Sequence, residues 1–458
     1  MLTESLSAVE RLKSLYRSPQ KHLSVVRIAF WSCITGAFTG LLVAVFRLAL
    51  QRADLLRGVW LLQARSWHTP GLLLTVAVVA VASASAAALV RRLSPYAAGS
   101  GIPHVEAVAK GDLPPASLML IPVKFIGGVL AIGSGLALGR EGPSVQMGAG
   151  IGVFIGKRVG LPDSESIALL AACAGAGIST AFNAPIAGAV FVLEELIRRF
   201  DTRTTVAALG CSCCAIAVSR FILGSAPDFQ VQGPSYAPFA TGVFFLTLGA
   251  FAGLLGAGYN RAILAGISFA DRLNWPIELR AAAIGAVVGA VAWFAPDLAG
   301  GGDAITQRML LGGVNHSMLP FILCLRFLLG PLSYAAGTPG GLFAPMLTVG
   351  AQAGLLFATV CSLLLPNLHL GVASCVIVGM AAFFTAVVRA PVTGIVLVTE
   401  LTGSFTQLMP MLWACFAAMV VPILLGVEPI YESLRQPIVQ SERSGAPASE
   451  EPPLSKRP

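Results

Sequence analysis

Residues 327–388 form a run of 62 residues without a single Asp, Glu, Lys or Arg, and this run limits the possible folds more than any other feature of the sequence. A helix that crosses a bilayer needs about 20 apolar residues, so the run has room for several spans. Further charge-free runs occupy residues 28–46, 66–90, 166–193, 229–260 and 401–427. The sequence therefore predicts a helical protein that crosses a membrane many times.

The composition excludes the usual soluble classes. Charged residues make up 11% of the 458 residues and hydrophobic residues 56%, whereas a soluble domain has about 25% charged and 45–50% apolar residues. A soluble enzyme and a disordered scaffold are excluded as defaults, and no polar linker divides the chain. Many of the 49 Gly and 29 Pro lie inside apolar stretches. Such breakers are tolerated at membrane depth only where the backbone is buried in protein or lines a cavity, so we expect short, broken helices.

The net charge of +8 is concentrated near the two ends of the chain. It forms no solvated stripe, which argues against nucleic acid as a partner. Cytoplasmic segments are enriched in Lys and Arg, so the basic residues within 11–27 and 435–457 predict that both termini are cytoplasmic, with an even number of crossings of the inner membrane. Three arginines within 52–65 oppose this orientation. No cleavable signal sequence is visible in residues 1–25.

The chain contains two related halves. Residues 184–194 (APIAGAVFVLE) resemble residues 390–400 (APVTGIVLVTE), which lie 206 positions later. Three residues of another segment recur 202 positions later, since Pro143, Gly148 and Gly152 correspond to Pro345, Gly350 and Gly354. Chance similarity between apolar helices is the alternative, but matching Pro and Glu positions favour duplication. Paired repeats with broken hydrophobic segments are typical of transporters.

This duplication predicts the organisation of the chain. Residues 1–25 form a cytoplasmic segment with an amphipathic helix over 5–17. The first and second membrane repeats then occupy residues 26–224 and 225–437, and residues 438–458 form a disordered cytoplasmic tail. Among the individual elements we expect a first span over 27–50, one helix over 184–199 and a short final helix over 428–437.

Three Gly/Pro turns precede short apolar helices: residues 99–103 (GSGIP), 139–143 (GREGP) and 340–345 (GGLFAP). Proline near a helix start costs no hydrogen bond. The first N–H groups of a helix have no intrahelical partner and carry partial positive charge. Several such ends aimed at one point form an anion site without a formal cation, which suits a small anion that must also leave.

In this order, and with the duplicated layout, the three turns resemble the CLC family of chloride channels and chloride/proton exchangers over residues 25–437. The resemblance implies an all-α polytopic membrane protein with two inverted-topology repeats of broken, tilted helices. It also implies a homodimer in the lipid bilayer with a separate anion pathway in each subunit. Chloride and protons are the implied substrates, and no metal or cofactor is expected.

The resemblance also assigns an anion site. Ser100 and Tyr431 match the two hydroxyl donors to chloride, and the backbone N–H groups of Leu342 and Phe343 match the donors at the third turn. Gly142, in the second turn, is included in the predicted chloride site.

Two acidic residues are assigned to the proton. Glu141 matches the gating glutamate, whose carboxylate occupies an anion position while ionised and swings out when protonated. Glu195 matches the internal glutamate that relays protons toward the cytoplasm. Arg140, beside the gate, has a supporting role, and Glu106 with Lys124 matches a buried acid–base pair that supports the anion site.

The residues themselves also favour these roles, because an ionisable side chain inside a membrane is expensive and is by default a functional candidate. The alternative for Glu141 is a plain helix N-terminal cap, and for Glu195 a cytoplasmic helix-end residue beside two arginines. Glu194 and Glu400 occupy equivalent repeat positions. We expect them to be structural, as acceptors of hydrogen bonds.

Chloride/proton exchange is the leading functional prediction, because both hydroxyls and both glutamates are retained. A passive gated chloride channel is the alternative, since these residues alone do not decide coupling. A membrane enzyme is disfavoured: Ser134 follows Gly133, but Ile132 does not fit a GxSG-type context, and no histidine is clearly placed to partner it.

Overall fold

The architecture is helical throughout the part of the chain that the computed structural model describes. These residues are 2–231, 241–314, 316–366 and 370–443, with side chains from residue 23 onward. They form seventeen α-helices, and no strand occurs in these ranges. The all-α prediction is therefore confirmed.

The first sixteen helices form two series of eight. The first series is α1 (Leu2–Arg65), α2 (His68–Leu93), α3 (Ile102–Lys110), α4 (Leu120–Ser134), α5 (Glu141–Arg158), α6 (Asp163–Phe182), α7 (Pro185–Phe191) and α8 (Thr202–Leu223). The second is α9 (Gly242–Arg272), α10 (Ile277–Phe294), α11 (Asp303–Leu310), α12 (Leu319–Tyr334), α13 (Phe343–Leu364), α14 (Val372–Val388), α15 (Pro391–Thr402) and α16 (Leu408–Leu424). A last helix, α17 (Ile430–Arg443), follows. Helices α1 and α8 pack together as α9 and α16 do, and α5 packs on α6 as α13 does on α14.

Long and short helices alternate, as the frequent breakers predict. In the described residues nine helices are long and apolar enough to cross a membrane. Helices α3, α7 and α11 have nine, seven and eight residues. At a rise of about 1.5 Å per residue, none of the three spans a hydrocarbon core of about 30 Å.

The recurring glycines of the two halves are close-approach positions. A Cβ on Gly148 would lie 2.3 Å from the carbonyl oxygen of Cys173 on α6, and a Cβ on Gly350 would lie 2.5 Å from that of Gly379 on α14. Small residues let helix backbones touch in membrane proteins. Helix α14, against which Gly350 packs, is buried from Ser374 through Val388. The sequence repeat therefore records the packing of α5 on α6 and of α13 on α14.

One predicted helix is interrupted. A single helix was expected over 184–199, but α7 ends at Phe191 and the chain continues as a π-helical turn, Val192–Leu196. π-turns inside helices are rare and frequently mark functional sites. Glu195 lies in this turn.

The two ends of the chain also differ from expectation. The first helix is continuous from Leu2 to Arg65 and runs through Pro19, after which residues 20–65 contain no further proline. The amphipathic character predicted for 5–17 concerns side chains outside the described ones. At the other end, α17 continues six residues past the predicted 437, since Val439 and Ser441 are buried and the Tyr96 hydroxyl donates to Glu442 at 2.9 Å. The rest of the predicted tail, 444–458, lies outside the described residues.

Candidate anion and proton sites

Backbone hydrogen bonds bring the three Gly/Pro turns together. The N–H groups of Gly139 and Gly341 donate to each other's carbonyl oxygens at 2.8 and 2.7 Å. The N–H of Gly340 donates to the Gly99 carbonyl at 3.0 Å, and the N–H of Gly99 donates to Thr338 at 3.1 Å. The third turn is thus held between the other two. The starts of α3, α5 and α13 therefore meet, as the anion-site prediction requires.

The first turn needs its glycine. Gly101, immediately before α3, has φ +80°, and a Cβ there would lie 2.2 Å from Gln146 Oε1. The left-handed region and the close contact both exclude an ordinary side chain at this position. Gly101 thus sets the direction in which the first N–H groups of α3 point.

Glu141 lies between the second and third turns and has no exposed surface. The backbone N–H of Phe343, the first residue of α13, donates to Glu141 Oε1 at 2.6 Å. A Cβ on Gly139 would lie 2.2 Å from Oε2, and a Cβ on Gly341 2.3 Å from Oε1. The carboxylate therefore fills a space lined by two glycines at the N-terminus of α13, where a helix favours negative charge. It caps α13 and also meets the backbone N–H of Glu141 itself at the start of α5, so the alternative of a helix N-terminal cap remains compatible with the geometry.

The two hydroxyl residues predicted for the anion are buried on the other side of α5. Ser100 and Tyr431 have no exposed surface. A Cβ on Gly142 would lie 2.8 Å from Ser100 Oγ, so Gly142 backs the serine directly. The Tyr431 ring lies 6.0 Å from the Phe343 ring. Its hydroxyl is near the Ser100 hydroxyl, so the two buried donors are close enough to serve one anion.

Phe343 is the centre of an aromatic cluster. Its ring lies 4.7 Å from the ring of Phe384, 5.8 Å from Phe191 and 6.2 Å from Phe182. Leu342, the residue before α13, is also fully buried. The donor end of α13 is therefore surrounded by apolar side chains, which strengthens any electrostatic contact made there.

Arg140 belongs to the second turn, but its side chain binds groups that lie outside the three turns. Its Nε donates to the Ala181 carbonyl at 2.8 Å, and its guanidinium pairs with Asp228 at 2.6 Å and with Asp303 at 3.3 Å. The sequence analysis missed both aspartates because they lie in or beside connections, outside any motif. They partly neutralise the cation that precedes Glu141.

Glu195 is buried in the π-helical turn, with 4% of its surface exposed. Arg198 Nη2 lies 3.3 Å from its Oε1. Glu195 therefore does lie beside an arginine, as the alternative of a helix-end residue requires. Its carboxylate is nevertheless almost wholly enclosed by protein and not exposed to solvent.

The predicted pairing of Glu106 with Lys124 is wrong. Lys124, fully buried, donates to the carbonyls of Ala97 and Gly99 at 3.0 and 2.8 Å, while Glu106 pairs with Lys110 at 2.6 Å. The ammonium supplies a donor to the Ala97 carbonyl and a second donor to the Gly99 carbonyl, which also accepts the backbone N–H of Gly340. Glu106 lies one helical turn before Lys110 and meets it instead. Lys124 still supports the anion site, because the Gly99 carbonyl precedes Ser100.

A second buried cation was missed. Arg326 on α12 lies 202 residues after Lys124 and donates to the carbonyls of Leu298, Gly300 and Gly301 at 2.7–2.9 Å. The two loops are related by nearly the same offset, since Gly99 and Gly101 correspond to Gly300 and Gly302, so the repeat itself was the signal that could have found it.

Glu194 and Glu400 cap helices across the repeats. Glu194 accepts from the backbone N–H groups of Val392 and Thr393 at the start of α15, at 3.0 and 2.6 Å. Glu400 accepts from Ile186 and Ala187 at the start of α7, at 3.1 and 2.8 Å. The predicted structural role of both residues is confirmed. Each half of the protein thus supplies a cap to the other.

Comparisons with known proteins agree with this geometry. The model of the voltage gated chloride channel family matches residues 82–422. The H(+)/Cl(-) exchange transporter ClcA of Vibrio parahaemolyticus is 35% identical over 427 residues, which cover 91% of each chain. A crystal structure of a slow cyanobacterial Cl-/H+ antiporter superposes with a TM-score of 0.86 at 30% identity, covering 91% of this chain and 99% of that one.

A eukaryotic CLC transporter shares the fold at 21% identity, with a TM-score of 0.77 over 90% of this chain and 74% of that one. The match to the family extends over more than half of the sequence and includes all three turns in full. The chain therefore belongs to the voltage-gated chloride channel family, the CLC family that its three Gly/Pro turns indicated.

Proposed function

We propose that this protein exchanges chloride for protons across the membrane. The observation that carries the proposal is the Glu141 carboxylate bound to the Phe343 N–H where three helix N-termini meet. A titratable group there occupies a position that also suits a small anion. The relatives named as H(+)/Cl(-) exchange transporters support the same function.

In this geometry the Glu141 carboxylate and chloride compete for the same position at the N-terminus of α13. An ionised carboxylate satisfies the α13 N-terminus by itself. When it takes up a proton it loses its charge and most of its attraction to the partial positive charge of the helix end. Chloride then replaces it, held by the Phe343 N–H and by the hydroxyls of Ser100 and Tyr431. One proton taken up by Glu141 thus admits one anion, so the two substrates are linked at one site.

We propose Glu195 as the second proton site. It is a buried carboxylate on an irregular turn, and a buried ionisable group in a membrane protein commonly belongs to a proton relay. Its neighbourhood of charged side chains lies on α3 and α17, away from the outer cation Arg140 and its two aspartates. No cofactor is needed, because N–H groups, hydroxyls and carboxylates of the chain supply both chemistries.

The protein is a multi-pass integral membrane protein, and we propose that it lies in the inner membrane with both termini in the cytoplasm. The basic residues near each end support this orientation. Labelling of single cysteines at the two ends in sealed inside-out and right-side-out vesicles tests it. Protection of both ends in inside-out vesicles contradicts it.

We further propose a homodimer. Glu194 and Glu400 remain only half buried on a face with exposed apolar side chains such as Val392 and Phe416. A carboxylate facing lipid is costly, so protein must cover this face. Because the two caps are equivalent in the two repeats, a second copy related by a two-fold axis fits it. A mass of one chain, 47.4 kDa, for the protein in lipid nanodiscs contradicts the dimer.

Flux from liposomes tests the function. A chloride gradient across proteoliposomes under clamped voltage is expected to drive protons uphill. Chloride flux without linked proton movement leaves a passive channel, and neither flux contradicts transport of chloride altogether. Turnover of a peptide substrate abolished by Ser134→Ala would instead indicate an enzyme.

A further inference from the structure

The buried Glu195 carboxylate touches a group of charged side chains that joins three parts of the chain. We call it the α3–α17 ionic cluster. Its members are Glu106, Lys110 and Asp112 on or just after α3, Glu195 and Arg198 at the π-helical turn, and Glu432, Arg435 and Arg443 on α17. No motif in the sequence singled out this cluster.

Arg198 is the member that connects all three parts. Its guanidinium lies 3.3 Å from Glu195, 3.9 Å from Glu106 on α3 and 3.7 Å from Glu432 on α17. The side chain is 40% exposed, whereas those of Glu195 and Glu106 are 5% and 1% exposed. Arg198 therefore stands between solvent and two enclosed carboxylates.

The backbone at Arg198 is strained. Its φ is +55°, in the left-handed region that residues other than Gly, Asn and Asp seldom adopt. Such a conformation persists only when the surroundings fix it, and it concentrates at functional sites. Here Nε donates to the carbonyl of Glu195 at 3.3 Å while Nη2 reaches the Glu195 carboxylate. The strained turn thus directs the guanidinium back onto Glu195.

The cluster is balanced only when Glu195 is ionised. Its acids are then Glu106, Asp112, Glu195 and Glu432, and its bases are Lys110, Arg198, Arg435 and Arg443. Protonation of Glu195 leaves one unmatched positive charge. An opposite charge within about 4–6 Å favours the charged form of a carboxylate, so the cation nearest to Glu195 has the largest share in this balance.

The cluster also contacts the anion site. Glu432 follows Tyr431 in the first turn of α17, and Glu432 pairs with Arg198, Lys110 and Arg435. Arg198 therefore joins the element that carries Glu195 to the helix turn that carries the Tyr431 hydroxyl.

We infer that Arg198 is a positioning residue for the proton step, the counter-charge that favours the ionised form of Glu195 against its burial and fixes it relative to α17. The inference rests on the proposed role of Glu195. Among the residues that the structure describes, the charged groups that face this pair belong to the cluster or to Glu194, whose carboxylate is already engaged at the start of α15. Of the other helices packed on the turn, α6 and α8 carry their charges near their ends, at Asp163, Glu165, Arg203 and Arg220.

The test is a pH series of proton-coupled transport in liposomes. Arg198→Asn removes the charge while asparagine tolerates a positive φ, so the turn is kept. We expect the pH midpoint of proton transport to rise by about one unit, because Glu195 then retains its proton to higher pH. Arg198→Lys is expected to stay near the wild type. Arg199→Asn is the matched control, since Arg199 makes no ion pair within 4 Å in the described part of the chain.

A second variant gives the opposite sign. Glu432→Gln removes a negative charge beside Arg198 and releases the guanidinium toward Glu195, so the midpoint is expected to fall. A merely structural role would not shift the two variants in opposite directions. Midpoints for Arg198→Asn and Glu432→Gln that both coincide with Arg199→Asn overturn the inference.

Glu195→Gln separates this inference from the proposed function. If that variant transports protons like the wild type, the proposed proton role of Glu195 is wrong and the inference is lost with it. If proton transport is abolished by Glu195→Gln but insensitive to charge at Arg198 and Glu432, the proposed function stands and the inference alone is wrong.

Discussion

The two repeats share one scaffold and differ in the side chains that they present at its centre. Glu141 and Phe343 are equivalent, 202 residues apart, each the first residue of its helix, α5 or α13. In the first repeat this position carries a titratable carboxylate. In the second it carries an apolar ring and a backbone N–H, and the carboxylate of the first binds that N–H.

The same division occurs one element earlier. The loops before α3 and α11 each contain two glycines with positive φ, Gly99 and Gly101 in one and Gly300 and Gly302 in the other. The first loop presents the Ser100 hydroxyl, whereas α11 begins with Asp303, which pairs with Arg140. The two repeats thus have equivalent helix ends, of which one belongs to the proposed anion site and the other carries the Asp303 partner of Arg140.

The largest expected effect comes from removing the carboxylate. Glu141→Gln should reduce proton transport by about 100-fold or more, because an amide cannot carry the proton. Chloride flux should continue, since the α13 N-terminus and the hydroxyls remain. The measurement is simultaneous chloride and proton flux from liposomes, with the exposed acid Asp163→Asn as control. Proton coupling retained in Glu141→Gln would remove this residue from the mechanism.

A smaller effect distinguishes the two buried cations. Lys124→Met and Arg326→Met each remove donors from backbone carbonyls, at about 1–3 kcal/mol per group left unsatisfied, so both should lower the unfolding temperature in detergent. The Gly99 carbonyl keeps the Gly340 N–H and the Gly301 carbonyl keeps the Thr348 hydroxyl. Lys124→Met therefore removes the donor to Ala97, and Arg326→Met removes the donors to Leu298 and Gly300, so we expect the larger loss of stability for Arg326→Met.

Only Lys124→Met should weaken chloride binding, by about tenfold or about 1.4 kcal/mol, because Lys124 holds the loop that carries Ser100. Calorimetric titration with chloride measures this. Equal losses of chloride affinity in both variants would contradict the proposal that only the loop before α3 belongs to the anion site.

The smallest effect concerns the crossed caps. Glu194→Gln and Glu400→Gln should each cost about 0.5–2 kcal/mol. The Glu194 change should cost more, since this residue also accepts from the Thr393 hydroxyl at 2.7 Å. Thermal unfolding in detergent at fixed protein concentration measures the difference. The reverse order would show that the two caps are not equivalent devices.

Most of the fold was predictable, because apolar runs indicate the helices and the repeated glycines indicate where helices pack against each other. Both signals can be read directly from the sequence. Helix α11 was missed because half of it is polar: Asp303, Gln307 and Arg308 obscure the buried Ile305 and Met309. The π-helical turn was missed as well. Its residues are ordinary helix formers, and only tertiary contacts decide that the helix widens there.

The meeting of the three turns was predictable from their motifs, whereas the ionic partners around them were not. A motif states which residues surround the anion, but nothing local states which of several acids a given cation meets. Lys124 therefore went to carbonyls instead of Glu106, and Arg198 to three separate carboxylates. These choices depend on the loop before α3 and on the packing of α17, which brings Glu432 to Arg198.

In the proposed mechanism the Glu141 carboxylate, bound to the Phe343 N–H, acts as a tethered competitive inhibitor of chloride binding. A tethered ligand is present at an effective concentration set by its linker, of the order of millimolar for short flexible ones, however much chloride is in solution. The apparent affinity for chloride is then the intrinsic affinity reduced by the fraction of time the site is free of the carboxylate. Protonation of Glu141 increases the fraction of time that the site is free, just as lowering the concentration of an inhibitor would. Acidity and chloride concentration are therefore partly interchangeable variables at this one point of the molecule.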